Sequence, residues 1–379
     1  MAASMKNNCE FGEVLPKNIG AHEIPEERSG HRLVVDDANL YALGGYNPEF
    51  WNRQSEEDSN YPLFHELWKF NFATRKWKRL KTRGRMPLEL ASHTIVKDRN
   101  NLLLFGGTGI PFGDASSNEL NVCNLKTLQW KYYPCTGNLP EAKYGHTMTL
   151  DGDYVYVIGG TTGLVYNMDV HQLNLNELSW EQLSGQDNTK WQPDSRYRHE
   201  VINQGNNLYL IGGGTAFEVF SFKEIPVFNI QTLNWKEIEA KPDSINGYPS
   251  ARRCHSCVYF DNEIYICGGF GQRRIADDIW KLNLTTLQWT KLPCLLPSPV
   301  YFHSADVTPT GCMYVFGGVV HIEDKRSNKI YRIWLKLPPL AELCWNILCD
   351  EVKDWTVWTK HHLLDLGIPS HYIDRIEDL

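Results

Sequence analysis

Two residue types in this chain have the spacing to do chemistry. The first is histidine. His31, His93, His146, His199, His255 and His303 recur roughly every fifty residues, and imidazole ligates metals and moves protons near neutral pH. Cys254-His255-x-Cys257 sets two thiols beside one of them. The second is arginine. Arg198, Arg253, Arg273 and Arg274 gather in one part of a chain whose formal charge is −7. A guanidinium fork binds carboxylate or phosphate through parallel N–H donors.

The histidines are too regular to be a site. His31, His93, His146, His199 and His255 each lie thirteen residues before a Gly-Gly pair (Gly44, Gly106, Gly159, Gly212, Gly268), and His303 lies fourteen before Gly317. One histidine per period at a fixed offset is a scaffold position. On a strand, Cys254 and Cys257 point to opposite faces and cannot share an ion. Gly212-Gly-Gly214 has no helix behind it to hold a phosphate, and no Ser/His/Asp order is legible. The expectation is a protein without catalytic residues, metal or cofactor.

The elements that position these residues follow from the same period. Each Gly-Gly pair closes an apolar run, and Trp77, Trp130, Trp180, Trp235 and Trp289 follow the first five pairs. Four short strand-like runs per period indicate a six-bladed β-propeller, an all-β fold. In the fifth period His255–Phe260, Glu263–Cys267, Ile279–Leu284 and Gln288–Leu292 read as strands a to d. The a–b and c–d turns are short throughout, whereas the b–c connections vary and are long in the first two periods. Antiparallel order puts b–c and d–a loops on one face, where variable loops on a rigid scaffold bind partners. The sixth period lacks strand d, and Phe11-Gly-Glu-Val-Leu15 supplies its pattern, so the N-terminus is expected to close the ring. The predicted organisation is a disordered segment at 1–10, a propeller at 11–335 and a helical tail at 338–379.

Composition sets outer bounds. Apolar content of 42% suffices for a large core, and a charge of −7 argues against a general nucleic-acid binder. No apolar run reaches the roughly 20 residues of a membrane span. The opening residues MAASMKNNCEFGEV lack a secretion-signal pattern, so the ten cysteines are expected as reduced thiols. The expected location is cytoplasmic and/or nuclear.

Three residues before the histidines stand Arg28, Lys143, Arg196 and Arg252. A recurring basic position is structural, expected to pair with neighbouring blades. The off-pattern arginines are the candidates for binding. Arg198 and Arg253 occupy places where other periods have Gly30, Ser92, Gly145, Ser29 or Ala91, and Arg273 and Arg274 lie in a b–c loop. Tyr144, Tyr197, Tyr301 and Phe302 take the same inward places as aromatic walls. Together they suit an anionic ligand such as a protein C-terminus, whose carboxylate needs charged donors and apolar walls. The alternative is a set of solvated loop charges.

After Pro338 the period changes. Leu340, Leu343, Cys344, Ile347 and Leu348 form a stripe at helical spacing. A second helix runs through Trp355, Trp358, His362 and Leu363 to Gly367, and Ser370 begins a third with Ile373, Ile376 and Leu379 on one side. The stripe either packs on the propeller as a cap or presents a docking face.

The Gly-Gly pairs and later aromatic positions resemble the kelch repeat over residues 11–335. Leu340-x-x-x-Cys344-x-x-x-Leu348 resembles the BC box by which substrate adaptors engage Elongin C. Ile368-Pro369-Ser370-His371-Tyr372 is similar to a Cullin-2 box, with Tyr372 at its final aliphatic position. With Tyr61-Pro-Leu-Phe64, Gly106-Gly-Thr-Gly-Ile-Pro-Phe-Gly113, Ala251-Arg-Arg-Cys-His-Ser-Cys257 and Val300-Tyr-Phe-His303, the whole resembles the kelch-domain-containing adaptors of Cullin-2 ubiquitin ligases. The resemblance implies a non-catalytic adaptor. Its tail would hold Elongin B–Elongin C and Cullin-2 with its RING subunit, and its propeller would bind substrate C-termini, notably glycine-ended ones. Such readers place two arginines after a Gly-Gly pair, as at Arg273 and Arg274, but have Ser-Trp where Tyr301-Phe302 stand. A plain kelch scaffold for signalling or cytoskeletal partners, without a ligase role, is the alternative class.

Overall fold

The computed structural model describes residues 10–18, 20, 23–50, 62–185 and 189–377. The expected disorder at 1–9, the first residue of the Tyr61–Phe64 segment and Leu379 lie outside the described residues.

Six blade sheets follow one another in chain order, antiparallel except where Thr136–Gly137 adds in parallel to the outer edge of blade three. Blade one holds Arg32–Val35, Asn39–Leu43, Leu67–Asn71 and Lys76–Leu80; blade five holds Ser256–Phe260, Glu263–Cys267, Asp278–Asn283 and Gln288–Leu295. Blade six has Ser304–Val307, Cys312–Phe316 and Ile330–Trp334, and Gly12–Glu13 pairs with the last of these, Gly12 opposite Arg332 and Glu13 opposite Tyr331. The N-terminus therefore closes the ring as expected. The residues flanking this short strand do the packing. Phe11 is buried with Tyr265 and Met313, while Val14 is buried with Leu40, Trp68 and Tyr314. One short strand thus ties blade six into the cores on both its sides.

Each Gly-Gly pair is clamped between two successive histidines. A Cβ on the first glycine would meet the imidazole of the next blade: Gly106 would come within 2.5 Å of His146, Gly159 within 2.7 Å of His199, and Gly317 within 2.5 Å of His31. A Cβ on the second would meet the histidine of its own blade, as Gly107 with His93 at 2.7 Å and Gly213 with His199 at 2.6 Å. Both glycines of these pairs have positive φ, a conformation that glycine adopts freely. Reaching back across the blade boundary, His31 Nε2 donates to the Phe316 carbonyl (3.1 Å) and His199 Nε2 to the Ile158 carbonyl (3.2 Å). Burial holds all six imidazoles neutral, with His93, His199 and His303 down to about 3 and the other three well below the usual value.

The residue before each histidine closes the inner ring. Gly30, Ser92, Gly145, Arg198, Cys254 and Phe302 all have φ between 55° and 67°. Their backbones form a cycle in which each N–H donates to the preceding blade's carbonyl: Ser92 to Gly30 (2.8 Å), Gly145 to Ser92 (2.9 Å), Arg198 to Gly145 (2.7 Å), Cys254 to Arg198 (3.0 Å), Phe302 to Cys254 (3.1 Å) and Gly30 to Phe302 (3.0 Å). Below it, Arg32 of blade one pairs with Glu200 of blade four at 2.9 Å across the channel.

Three helices follow the propeller: α1 (Leu340–Glu351), α2 (Lys360–Asp365) and α3 (Ser370–Ile373). Pro339 is the N-cap residue of α1, Thr359 accepts the His362 N–H at the start of α2, and Gly367 follows α2 at φ 83°. Trp345, Cys349, Trp355, Leu363, Tyr372, Ile373 and Ile376 form a small core that includes Ala73, in the c–d turn of blade one. Trp355 Nε1 donates to the Ala73 carbonyl (2.9 Å), Lys17 to the Val352 carbonyl (2.8 Å), and Glu377 pairs with Lys69 (2.6 Å). The tail is docked on the c–d turn face, opposite the b–c loops.

Two expectations follow. A chain lacking residues 1–20 loses the burial of Phe11 and Val14, each of about 1.5–3 kcal/mol, and should melt about 5–10 °C lower; an unchanged melting point would refute the closure. Lowering pH should destabilise the ring. Histidines with a depressed folded pKa leave the unfolded chain binding more protons between pH ~6.5 and ~3, so stability present above pH ~6.5 is lost as pH falls, at up to about 1.4 kcal/mol per histidine per pH unit. Asp306, raised to about 6 by burial, and Glu27, also raised by burial, have the opposite sign but are two groups against six. Melting scans from pH 7.5 to 5 should show a steep fall; a flat profile would contradict six neutral buried imidazoles.

Candidate functional site

Side chains carried by the inner cycle and by the residue before it meet on the loop face. That preceding residue forms a β-bridge to the residue two beyond the first glycine of its blade's pair, as in Tyr144 with Thr161, Tyr197 with Gly214, Arg253 with Phe270 and Tyr301 with Val319. The backbone is thus held on two sides. A left-handed φ costs a non-glycine residue roughly 1–2 kcal/mol, yet Arg198 (φ 56°) and Phe302 (φ 55°) occupy it. Strain kept at positions that other blades fill with glycine or serine points to a use for the side chain.

The Arg198 guanidinium lies over the Phe302 ring at 4.5 Å and near the Tyr197 ring at 6.0 Å, and one of its nitrogens donates to the Ser92 hydroxyl. Its Nε is buried without a partner, and burial lowers its pKa. The Arg253 guanidinium lies 5.9 Å from the Tyr197 ring and donates to the Thr215 carbonyl. Tyr144 meets Tyr197 edge to face at 6.5 Å; Tyr301 lies between Phe302 (5.0 Å) and Phe270 (5.2 Å). Burial raises the pKa of Tyr144, Tyr197 and Tyr301, leaving them neutral.

Six of the eight expected residues are therefore joined: Arg198, Arg253, Tyr144, Tyr197, Tyr301 and Phe302. Arg273 and Arg274 are not. They lie exposed on the hairpin of Phe270–Gly271 and Arg274–Ile275, with Arg273 at its tip and Arg274 3.7 Å from Asp277. Arg326 was not anticipated. It is buried in the b–c loop of blade six, donates to Ser29 Oγ (3.1 Å) and the Asp324 carbonyl (2.5 Å), and lies over the Tyr46 ring at 5.5 Å. A basic residue in a b–c loop was the available signal, but Lys325 beside it reads the same in sequence. Tyr166, 5.1 Å from Tyr197, was missed for a similar reason.

Charge pairing separates the two sets of basic residues. Arg28 pairs with Glu66 (2.6 Å), Lys143 with Asp169 (2.8 Å) and Arg252 with Asp278. These partners lie in the same blade, not in neighbouring blades as expected, because the side chain turns to its own blade's Gly-Gly pair, where Arg28 donates to the Gly44 carbonyl (2.9 Å) and Arg252 to the Gly268 carbonyl (3.1 Å). Arg196 likewise donates to the Gly212 carbonyl (3.2 Å) and stacks on Phe220 (3.8 Å). Among the described residues no carboxylate pairs with Arg198, Arg253 or Arg326. Three cationic groups, half-buried or buried against aromatic faces, are arranged to receive an anion.

A sizeable cavity lies elsewhere. About 450 Å³ opens at the other end of the channel, lined by Arg32, Lys97, Glu200 and Asp306 among others. Asp306 already accepts the Val35 and Val307 N–H groups at 2.8 Å, and Arg32 and Glu200 pair with each other. Its charges are satisfied, so the loop face is the better candidate. No cluster of metal-ligating side chains occurs among the described residues, and no helix is long and apolar enough to cross a membrane.

The tail carries the second candidate surface. Helix α1 docks through Glu342, Trp345 and Cys349, with Glu342 paired to Arg375 at 3.0 Å. The stripe seen in sequence lies on the other side. Leu340 is 75% exposed and Ile347 62%, Cys344 is exposed, and Leu343 and Leu348 are half-buried. The capping side and the exposed stripe are thus two sides of one helix. Ile368 is half-buried against the tail core, Pro369 is the exposed N-cap residue of α3, and Tyr372 is buried 5.1 Å from Trp345.

Comparison with known proteins places these features in a family. A family model described as the KLHDC2/KLHL20/DRC7 Kelch-repeats domain matches residues 16–213 and 186–337. Kelch domain-containing protein 10 of Mus musculus is 45% identical over 371 residues, 98% of this chain and 84% of the mouse protein. The protein of the same name from Xenopus laevis is 46% identical over 354 residues, 93% of this chain and 86% of its own length. The Drosophila melanogaster homolog is 37% identical over 383 residues, covering 93% of this chain and 62% of its own length.

Proposed function

Since the chain belongs to the kelch domain-containing protein 10 family of kelch-repeat β-propellers, we propose that it is the substrate-recognition adaptor of a Cullin-2–Elongin B/C ubiquitin ligase. The observation that carries this reading is α1. Its anchoring face is buried on the propeller, while Leu340, Cys344 and Ile347 are left to solvent at helix-in-groove spacing. In this reading Leu340 enters an Elongin C pocket and the small Cys344 permits close approach. Leu348 sits at the border of the two faces, and Pro369 with Ile368 forms the Cullin-2 contact. The loop face binds the substrate's C-terminus: Arg198, Arg253 and Arg326 hold the carboxylate, and Tyr144, Tyr197, Tyr301 and Phe302 wall the preceding residues, with glycine favoured last because the aromatics crowd the mouth. Ubiquitin transfer belongs to the recruited subunits, and the protein works in the cytosol or nucleus.

Docking on opposite faces leaves the substrate site open while the tail is engaged. Size-exclusion chromatography with purified Elongin B–Elongin C should give one co-eluting complex with the wild type and none with Leu340→Ala/Cys344→Ala/Leu348→Ala of unchanged circular dichroism. Failure of the well-folded wild type to co-elute would leave a plain kelch scaffold. On the other face, glycine-ended peptides should bind as free acids and not as amides. Arg198→Ala, Arg253→Ala or Arg326→Ala should each weaken binding about 10- to 100-fold, the scale of a lost charged hydrogen bond. Equal binding of acid and amide would eliminate the carboxylate site.

A further inference from the structure

The b–c loops of blades two, three, four and six end in apolar side chains that nothing in the fold requires to be there. Phe217 is 97% exposed and Leu164 95%, and Phe112, Val165 and Ile322 are also exposed. They surround the arginine–aromatic centre, since all these loops emerge on its face. Isolated exposed apolar residues are ordinary; five of them on the loops of four blades beside one cationic centre are not.

These tips are held in place by their neighbours. Gly113 and Gly163 pack so closely that a Cβ on the latter would come within 2.8 Å of Gly113 Cα, joining the loops of blades two and three. The Ala216 N–H donates to the Tyr166 hydroxyl (3.0 Å), and Arg253 holds the Thr215 carbonyl, fixing the Phe217 loop from both sides. Tyr46 meets Phe112 at 4.8 Å, and Arg326 ties Tyr46 to the loop of blade six. Contact area on preorganised loops binds with less entropic loss than on mobile ones.

We propose that this rim is a second recognition zone for the same ligand, one that selects C-terminal segments with apolar side chains upstream of their last few residues. This rests on the carboxylate reading above. Charge complementarity chooses the occupant: a chain end brings one negative charge to Arg198, Arg253 and Arg326, and only a segment running outward from it passes the rim. A second copy of this propeller offers the same cationic face and would meet it with repulsion.

The test uses two fluorescent peptides of equal length ending in Gly-Gly as free acids. One carries Leu, Val and Phe upstream and the other Ser, Asn and Thr. The wild type should prefer the apolar peptide by about 10-fold. Phe217→Ser/Leu164→Ser, whose wild-type side chains touch little and whose melting temperature should not change, should abolish the preference while leaving the polar peptide's affinity unaltered. Arg198→Ala should weaken both peptides alike. Equal wild-type affinities, or a rim variant that loses both peptides equally, would overturn the proposal. So would a wild type whose light-scattering mass is that of a dimer and becomes that of a monomer in the rim variant, because the rim would then be a self-association surface. Amidated versions separate the two readings. A preference that persists while amide binds as well as acid would retain the rim and remove the carboxylate site.

Discussion

The contact between a Gly-Gly pair and two histidines is the constraint on which the rest depends. The first glycine lies against the imidazole of the next blade and the second against the Cβ of its own blade's histidine, at separations a side chain would not permit. Six repetitions set the spacing between blades, and with it the radius of the ring. The imidazole is suited to this place because it is flat enough to stack on a glycine backbone, yet carries an N–H that can satisfy a carbonyl across the boundary. It must be neutral to be buried there.

From that spacing follows the closed cycle of six N–H···O=C bonds, and from the cycle follows the site. Every member is in the left-handed region, so the cheapest ring would have glycine throughout. Only Gly30 and Gly145 take that option. Arg198 and Phe302 bring side chains to the mouth in spite of the backbone cost, and the cation–π contact between them at 4.5 Å joins blade four to blade six. The same antiparallel order that raises the b–c loops on this face puts the c–d turns on the other, where the tail docks. The two candidate surfaces thus lie on opposite faces of the propeller.

Much of the candidate site was legible because repetition supplies an internal standard. Arg198 and Arg253 stood out where other periods had Gly, Ser or Ala, and both proved to lie at the mouth without a carboxylate partner. Arg326 could not stand out, since it lies in a loop of its own length with Lys325 adjacent and no register to compare. Arg273 and Arg274 stood out equally well, but the two-residue hairpin turn carries them out to solvent. In the tail, sequence marked the stripe from Leu340 to Leu348 without telling which side of the helix meets the propeller. Trp345 and Cys349 settle that, through a core that includes Ala73, more than two hundred residues earlier in the chain.

By itself, then, the sequence determined the blade count, the strands, the closure by the N-terminal segment and the faces on which loops and turns emerge. Each of these is read from local periodicity: alternating burial, glycine where no Cβ fits, and turns of fixed length. Tertiary structure alone decided which basic residues have carboxylate partners, which tyrosines stack, and which side of α1 is left to solvent. Those outcomes depend on distances between segments far apart in the chain. A guanidinium with a partner at 2.6 Å and one with none look identical in sequence, but only the second has charge left to offer a ligand.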